Sequence, residues 1–198
     1  VATGSKFDLI VAILAILKVG KSVVLLNPGL SDGALRTNLS DAQVDVLLHD
    51  GTSNGLAALV VDRGGRLLDL TSTAHFATRA KHVLGGTADE WGVLFSSGTT
   101  GVPKGIERDH SSMVTEFLGW IIELGLRRDT TFFIGRPIYY TGGLVLAAAT
   151  LVVGGTIMVN DLENENDPLE AWNKLCAALQ NDCIDWAFFT PDQVRAFI

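Results

Sequence analysis

Cysteine is scarce in this sequence, and the two cysteines that are present exclude two kinds of site. Cys176 and Cys183 are seven residues apart, without a CxxC spacing and without a neighbouring histidine. Structural zinc sites and disulfide frameworks need more closely patterned cysteines. We therefore expect reduced thiols in a reducing compartment, and hence a cytoplasmic protein.

Metal-ligand spacings and basic clusters are missing as well. His49, His75 and His82 are scattered and belong to no pattern such as HExxH, so we assign no residue of this chain to a metal. The net charge is −7, and no run of basic residues is longer than Arg127-Arg128. A nucleic-acid-binding protein normally carries a basic patch, so nucleic acid is not an expected partner.

Charged residues make up only 19% of the chain, against 47% hydrophobic residues, which indicates surface that more protein normally covers. The most apolar segment, residues 142–159, is almost long enough to span a bilayer. Gly154 and Gly155 divide it into a helix-like and a strand-like part, so we predict no transmembrane segment. The start of the chain has no basic region or cleavage site, so no signal peptide is predicted.

Helix and strand signals alternate along the chain. Ser5 and Asp8 form a capping-box pattern ahead of a nearly continuous apolar run, which predicts a buried first helix. In the helix after residue 110 we expect Met113, Phe117, Trp120, Ile121 and Leu124 in the core. This alternation predicts an α/β fold with a mainly parallel sheet flanked by helices. The predicted strands are 22–26, 44–49, 56–61, 91–95, 130–135, 156–159 and 184–189, and the predicted helices are 7–17, 31–40, 73–79, 111–124, 144–153 and 169–180.

The stretch S-S-G-T-T-G-V-P-K-G, residues 96–105, directly follows a strand signal and predicts an anion-binding loop. Glycines allow positive φ, so that consecutive N–H groups can point into one concavity, and hydroxyls and an ammonium add further donors. A flexible linker is the plainer alternative, but a linker needs neither a strand before it nor Pro-Lys-Gly after it. A Walker loop ends in Gly-Lys-Ser/Thr, whereas Lys104 stands between Pro103 and Gly105, which excludes a P-loop NTPase.

This stretch resembles the signature of the adenylate-forming superfamily, which includes acyl- and aryl-CoA synthetases, luciferases and the adenylation domains of nonribosomal peptide synthetases. The string LAILKVGKSVVLLNP also resembles an early element of acyl-CoA synthetases. The resemblance implies that Thr99 and Lys104 take part in catalysis. Asp109 stands where the family often has Thr or Ser, which makes a phosphate contact there doubtful because a carboxylate would repel triphosphate. The implied ligands of the ATP phosphates are Ser96, Ser97, Gly98, Thr99, Thr100, Gly101 and Lys104.

A second landmark, R-P-I-Y-Y-T-G-G, begins at Arg136 and resembles the segment that opens a helix beside the acyl pocket in this family. The resemblance assigns Tyr140, Gly142 and Gly143 to that pocket, with the glycines permitting close approach of a ligand to the backbone. The alternative is that Tyr139 and Tyr140 are packing residues at the end of a strand.

Complete members of the family are more than twice as long, and their adenine, ribose and metal contacts and a late lysine lie beyond the equivalent of this chain. We therefore expect residues 1–198 to be a single α/β piece of an AMP-binding domain, inactive by itself. Residues 1–90 would form its first βα portion, and 91–198 would carry the phosphate loop and acyl pocket.

The resemblance implies an ATP-dependent, AMP-forming acid–thiol ligase, with a small carboxylic acid, ATP with Mg²⁺, and CoA or a pantetheine thiol as its reactants. The Ser-Ser start of the loop favours an acyl-CoA synthetase, with a role in fatty acid metabolism. Two alternatives stay open: an adenylation domain of a peptide synthetase, and a non-catalytic nucleotide-binding module.

Overall fold

The structure is a computed structural model, and it describes residues 1–27, 29–51, 54–72, 89–96, 104–135 and 137–159, with 176–177, 179–180, 184–189, 191 and 194–195 further on. The chain divides into two compact units, Val1–Met113 and Val114–Ile198. Our division of the chain into a first βα portion, 1–90, and a portion with the phosphate loop and acyl pocket, 91–198, stays a prediction.

The described helices and strands alternate for most of the chain, as the sequence predicts. Helix α4 begins in the first unit and ends in the second. In chain order, the elements are α1 (Lys6–Lys18), β1 (Val23–Val24), α2 (Asp32–Asp41), β2 (Val46–His49), α3 (Asn54–Asp62), β3 (Arg66–Asp69), β4 (Glu90–Ser96), β5 (Lys104–Asp109), α4 (His110–Leu124), β6 (Thr131–Ile134), α5 (Thr141–Val152), β7 (Thr156–Val159) and β8 (Trp186–Phe188).

The strands of the first unit form two ladders that the start of the chain connects. Strand β2 pairs with β3 in parallel, and β4 pairs with β1 in parallel and with β5 in antiparallel orientation. Ala2 donates its N–H to the Leu48 carbonyl at 2.9 Å, and Leu26 donates to the Val1 carbonyl at 3.2 Å. Hydrogen bonds thus run from β3 through β2, the first residues and β1 to β4 and β5. The prediction of a mainly parallel sheet is confirmed.

Helix α1 begins where the capping box predicts, but its burial differs from our expectation. The Ser5 hydroxyl accepts a hydrogen bond from the Asp8 N–H at 3.2 Å, which satisfies one of the free N–H groups of the first turn. The helix was predicted to be buried, and this is wrong for one face: Phe7, Val11 and Leu14 are exposed. An apolar sequence predicts a helix that can be buried, but it does not say how much protein covers it.

The predicted strand at residues 56–61 is wrong, because the structure has helix α3 there. Leu56, Leu59 and Val60 are all buried and have the i, i+3, i+4 spacing that puts three side chains on one helix face. They pack in a core cluster with residues such as Leu39 and Leu47. A short apolar run fits a strand and a buried helix equally well, and here burial on one face selects the helix. The predicted helix at 73–79 lies outside the described residues.

The second unit has a parallel sheet in the order β7-β6-β8. Helix α5 connects β6 to β7, and Gly154, with φ of 78°, ends the turn between α5 and β7. The apolar segment at 142–159 is therefore a helix and a strand, as predicted. Among the described helices, none is both long and apolar enough to cross a bilayer. Most of the predicted helix at 169–180 lies outside the described residues.

Helix α4 matches its predicted bounds to within one residue, but our expectation that five of its side chains lie in the core is largely wrong. Met113 is fully buried, whereas Trp120 is 40% exposed and Phe117, Ile121 and Leu124 are half-buried. Val114, Leu118 and Ile122, one turn apart, form a second apolar stripe that is exposed. Apolar side chains thus extend further around this helix than the face that the described residues bury.

Gly92 sets the distance between β1 and β4, and substituting it should destabilise the chain. Its φ is 153°, and a Cβ atom at this position would overlap the backbone of Val23. We predict that Gly92→Ala lowers the free energy of unfolding by about 2–4 kcal/mol, measured by urea denaturation. Gly119→Ala is the matched control, since Gly119 is inside α4 and, apart from its chain neighbours and the nearby backbone of its own helix, nothing lies within 4 Å of the new methyl group. This control should raise stability by about 0.5–1 kcal/mol, and equal effects of the two substitutions would contradict the prediction.

Candidate nucleotide-binding site

The predicted anion-binding loop connects the two strands of an antiparallel hairpin. Ser96 ends β4, Lys104 begins β5, and the two residues are a register pair. The Ser96 hydroxyl donates to the Lys104 carbonyl at 3.5 Å. The loop therefore leaves and re-enters the sheet at one point. Its central residues Ser97, Gly98, Thr99, Thr100 and Gly101 lie outside the described residues.

Strand β5 is the part of this arrangement that sequence reasoning missed, since we expected a helix soon after the loop. No alternation of buried and exposed residues signals it, since the residues of β5 are all exposed or half-buried. Gly105 is where β5 comes closest to its neighbour. A Cβ atom there would lie 3.1 Å from Val93 Cγ1 and 3.3 Å from Phe95 Cε1, both on the facing strand. Glycine thus lets the side chains of β4 pack closely over the β5 backbone directly beside the loop.

The position of the loop in the sheet suits ligand binding. It follows the carboxyl end of β4, which runs parallel to β1. In open parallel sheets, ligands bind outside the carboxyl ends of the strands. Lys104 is exposed and, in the described part of the chain, makes no ion pair. Its ammonium is therefore available to an anion at the mouth of the loop.

Asp109 lies at the opposite end of β5 from Lys104 and has a structural role there. It ends β5, so its position is about 16 Å along the strand from Lys104. That separation exceeds the screening length of about 8 Å at physiological salt. The carboxylate accepts hydrogen bonds from the Ser112 N–H at 2.7 Å and the Ser111 hydroxyl at 2.9 Å. Asp109 is thus the N-terminal cap of α4, which follows β5 without an intervening residue.

The residues assigned to an acyl pocket are in the second unit, after the carboxyl end of β6. Tyr140 and Gly142 are half-buried, and Gly143 is buried in the first turn of α5. The rings of Tyr139 and Tyr140 lie 4.8 Å apart at 59°, so they pack against each other. Strand β6 is the central strand of its sheet, and its carboxyl end is a second place where a parallel sheet can receive a ligand.

Gly143 has a structural reason to be glycine that differs from the one we predicted. A Cβ atom at this position would lie 2.8 Å from the Pro137 carbonyl oxygen. The missing side chain therefore lets the first turn of α5 pack on the backbone that precedes it. A substitution at Gly143 would disturb this packing before it touched any ligand, so it cannot by itself test a pocket.

A hydroxyl-rich and glycine-rich loop sequence after the carboxyl end of a parallel strand is typical of α/β proteins that bind phosphate groups. A family model narrows this class. Residues 2–198 match the model of the AMP-binding enzymes, so the chain belongs to the AMP-binding enzyme family.

Known proteins resemble this chain over most of its length. The nonribosomal peptide synthetase dtpA of Aspergillus flavus is 30% identical over 165 residues, which cover 81% of this chain and 6% of that protein. ATP-bound MatB of Rhodopseudomonas palustris is 24% identical with a TM-score of 0.74, over 88% of this chain and 36% of the other. O-succinylbenzoate coenzyme A synthetase (MenE) of Bacillus subtilis, in complex with ATP and magnesium, is 16% identical with a TM-score of 0.79, over 98% and 39%. The chain thus spans a small part of the peptide synthetase and less than half of the solved structures.

The Asp109 cap should make the stability of the chain depend on pH. The hydrogen bond from the Ser112 N–H, followed by that from the Ser111 hydroxyl, lowers the pKa of Asp109 below its ordinary value. The charged carboxylate therefore stabilises the fold above the unfolded-state pKa of about 3.9, and this contribution is lost as the pH falls through the lower folded-state pKa.

We predict that Asp109→Ala lowers the urea midpoint at pH 7, and that the difference from the parent chain shrinks as the pH is lowered to 3. Asp109→Asn is the control, because its amide oxygen can still cap the helix but carries no charge. A difference between the parent chain and Asp109→Ala that is the same at pH 7 and pH 3 would contradict the assignment.

Proposed function

We propose that this chain is the phosphate-binding part of an ATP-dependent, AMP-forming acid–thiol ligase. In the first half-reaction, a carboxylate oxygen attacks the α-phosphorus of ATP. The bond to the bridging oxygen breaks, and pyrophosphate leaves with the electron pair. A thiol sulfur then attacks the acyl carbon of the acyl-adenylate, AMP leaves with the electron pair of the broken bond, the thiol proton is released and a thioester is formed. Membership of the AMP-binding family and the Ser96–Lys104 pair that closes the base of the loop support this proposal.

The chemistry of the loop fits a nucleotide triphosphate. Phosphate oxygens accept hydrogen bonds, and the residues between Ser96 and Lys104 supply hydroxyls and backbone N–H groups around a single ammonium. We propose that Thr99 and Lys104 donate to the pyrophosphate as its charge develops. Donors fixed in place before the reaction stabilise such charge without the cost of reorganising water.

Magnesium, when bound with ATP, neutralises part of the phosphate charge. The described residues contain no group of three or more His, Cys, Asp or Glu that could hold a metal ion. In our proposal the contribution of this chain is a set of hydrogen-bond donors to the phosphates, supplied by the loop. We propose that the protein ligands of Mg²⁺ come from outside the described residues, and that the 198-residue chain alone forms no acyl-adenylate. A triphosphate held only by a loop lacks the fixed in-line geometry on which this step depends.

The acceptor thiol separates two forms of the proposal. The Ser-Ser start of the loop and the similarity in fold to MenE favour CoA. The sequence similarity to the peptide synthetase dtpA favours a pantetheine thiol on a carrier protein. The full-length protein, incubated with ATP, magnesium and a panel of carboxylic acids, should form an acyl thioester with one of these thiols. Mass spectrometry of CoA and of the carrier protein then shows which of the two thiols carries the acyl group.

The loop assignment predicts a loss of catalysis in the full-length protein. Thr99→Ala and Lys104→Ala should each reduce the rate of ATP–pyrophosphate exchange by about 10²-fold, which is typical for the loss of one donor to developing charge. Lys21→Ala is the matched control, since Lys21 is an exposed lysine of the same unit outside the loop.

An exchange rate that Lys104→Ala leaves at the parent value would show that the loop does not serve adenylation. A parent protein that binds ATP but exchanges no pyrophosphate with any acid would instead support the non-catalytic nucleotide-binding alternative.

A further inference from the structure

A surface groove with an apolar floor lies between α2 and α3 in the first unit. Its volume is about 370 Å³, which is at the lower end of the usual range for small-molecule sites. Leu39 and Leu59 line it and are 2% and 4% exposed, so they form its floor. The described residues at the ends of the loop, Ser96, Lys104 and Gly105, do not line the groove, and the proposed function leaves it without a role.

The rim of the groove carries two guanidinium groups. Arg36 is on α2, and Arg63 directly follows the last residue of α3; both are exposed. Within the part of the chain that the structure describes, neither of them makes an ion pair. Thr37 and Ser40 also line the groove, and the Thr37 hydroxyl donates to the Gly33 carbonyl of its own helix at 3.1 Å. Guanidinium groups present several N–H donors in one plane, an arrangement that suits carboxylate, phosphate and sulfonate oxygens.

A carboxylate on the same rim opposes an anion. Asp62, the last residue of α3, also lines the groove and makes no ion pair among the described residues. The three charges sum to +1. Asp62 also stands at the negative end of the helix dipole, an unfavourable place for a carboxylate. Its removal should therefore increase the attraction of the groove for an anion.

We propose that this groove binds a small organic anion, whose apolar body lies on Leu39 and Leu59 and whose acidic group contacts Arg36 and Arg63. Both parts are needed, because exposed charge pairs contribute little by themselves and are screened by salt. The apolar floor adds the burial of the ligand body. The residues that form the site take no part in the proposed enzyme activity, so the outcome of its test does not depend on that activity.

The test is a titration of the 198-residue chain with 8-anilinonaphthalene-1-sulfonate, an aromatic sulfonate, followed by fluorescence and by ¹H–¹⁵N NMR. We expect saturable binding and shifts of the backbone amides of Thr37 and Ser40. Arg36→Gln and Arg63→Gln should each weaken binding by about 2- to 5-fold, and Asp62→Asn should strengthen it by a similar factor. Raising the salt from 50 to 500 mM should weaken binding in the parent chain.

Two controls separate the charge from the apolar body. Arg128→Gln removes an exposed arginine of the second unit and should leave the affinity unchanged. N-phenyl-1-naphthylamine has a similar apolar body without the sulfonate, and its binding should not respond to the arginine substitutions. Saturation without shifts in α2 and α3, or arginine variants that give the same shifts there at the same sulfonate concentration as the parent, would overturn the proposal. So would an Asp62→Asn variant that binds more weakly.

Discussion

The close approach of β1 to β4 is the contact on which the first unit depends. Strand β4 lies between β1 on one side and β5 on the other, and Gly92 is the residue that lets the β1 backbone come within pairing distance. A register shift between Glu90 and Gly92 accommodates Trp91, which is almost fully buried. Both neighbours of β4 are thereby fixed, and with them the point at which Ser96 leaves the sheet.

The same contact explains why the loop has a defined base. Gly92 lets the β4 edge of the hairpin pair closely with β1. Gly105 lets the side chains of Phe95 and Val93 pack over the backbone of β5. Phe95 also packs against the core cluster formed by α2, α3 and β2. The two ends of the loop are thus tied to the hydrophobic core through few intermediate residues. A loop that binds a charged phosphate needs such a support, because binding energy is lost if the donors must first be ordered.

Much of this architecture could be predicted from the sequence, because local chemistry decides it. The cap at Ser5, the break at Gly154 and the strand before the loop all depend on neighbouring residues. What could not be predicted depends on residues far along the chain. The strand predicted at 56–61 is a helix because Leu56 and Val60 meet Leu39 and Leu47 in the core. The Asp109 cap could have been found, since Asp directly before a helical pattern is a common start signal.

The candidate site also has a part that the sequence predicts and the structure describes, and a part that stays a prediction. The strand before the loop and the positions of Ser96 and Lys104 at its ends follow from sequence and structure together. The roles of Thr99, Tyr140 and the other assigned residues stay predictions. The packing of Gly143 on Pro137 shows why the glycine pattern alone does not decide between two roles, since glycine serves close contact within the protein as well as close contact with a ligand.

The direct junction between β5 and α4 has a consequence for how the sequence can change. Asp109 is the last residue of the strand and His110 the first of the helix, so no linking residue can absorb an insertion. One residue added here would separate the Asp109 carboxylate from Ser112 and turn the helix by about 100°. Met113 would then leave the core, and an exposed face of α4 would take its place. Insertions and deletions should therefore be rare at this junction in any variant of the chain that still folds.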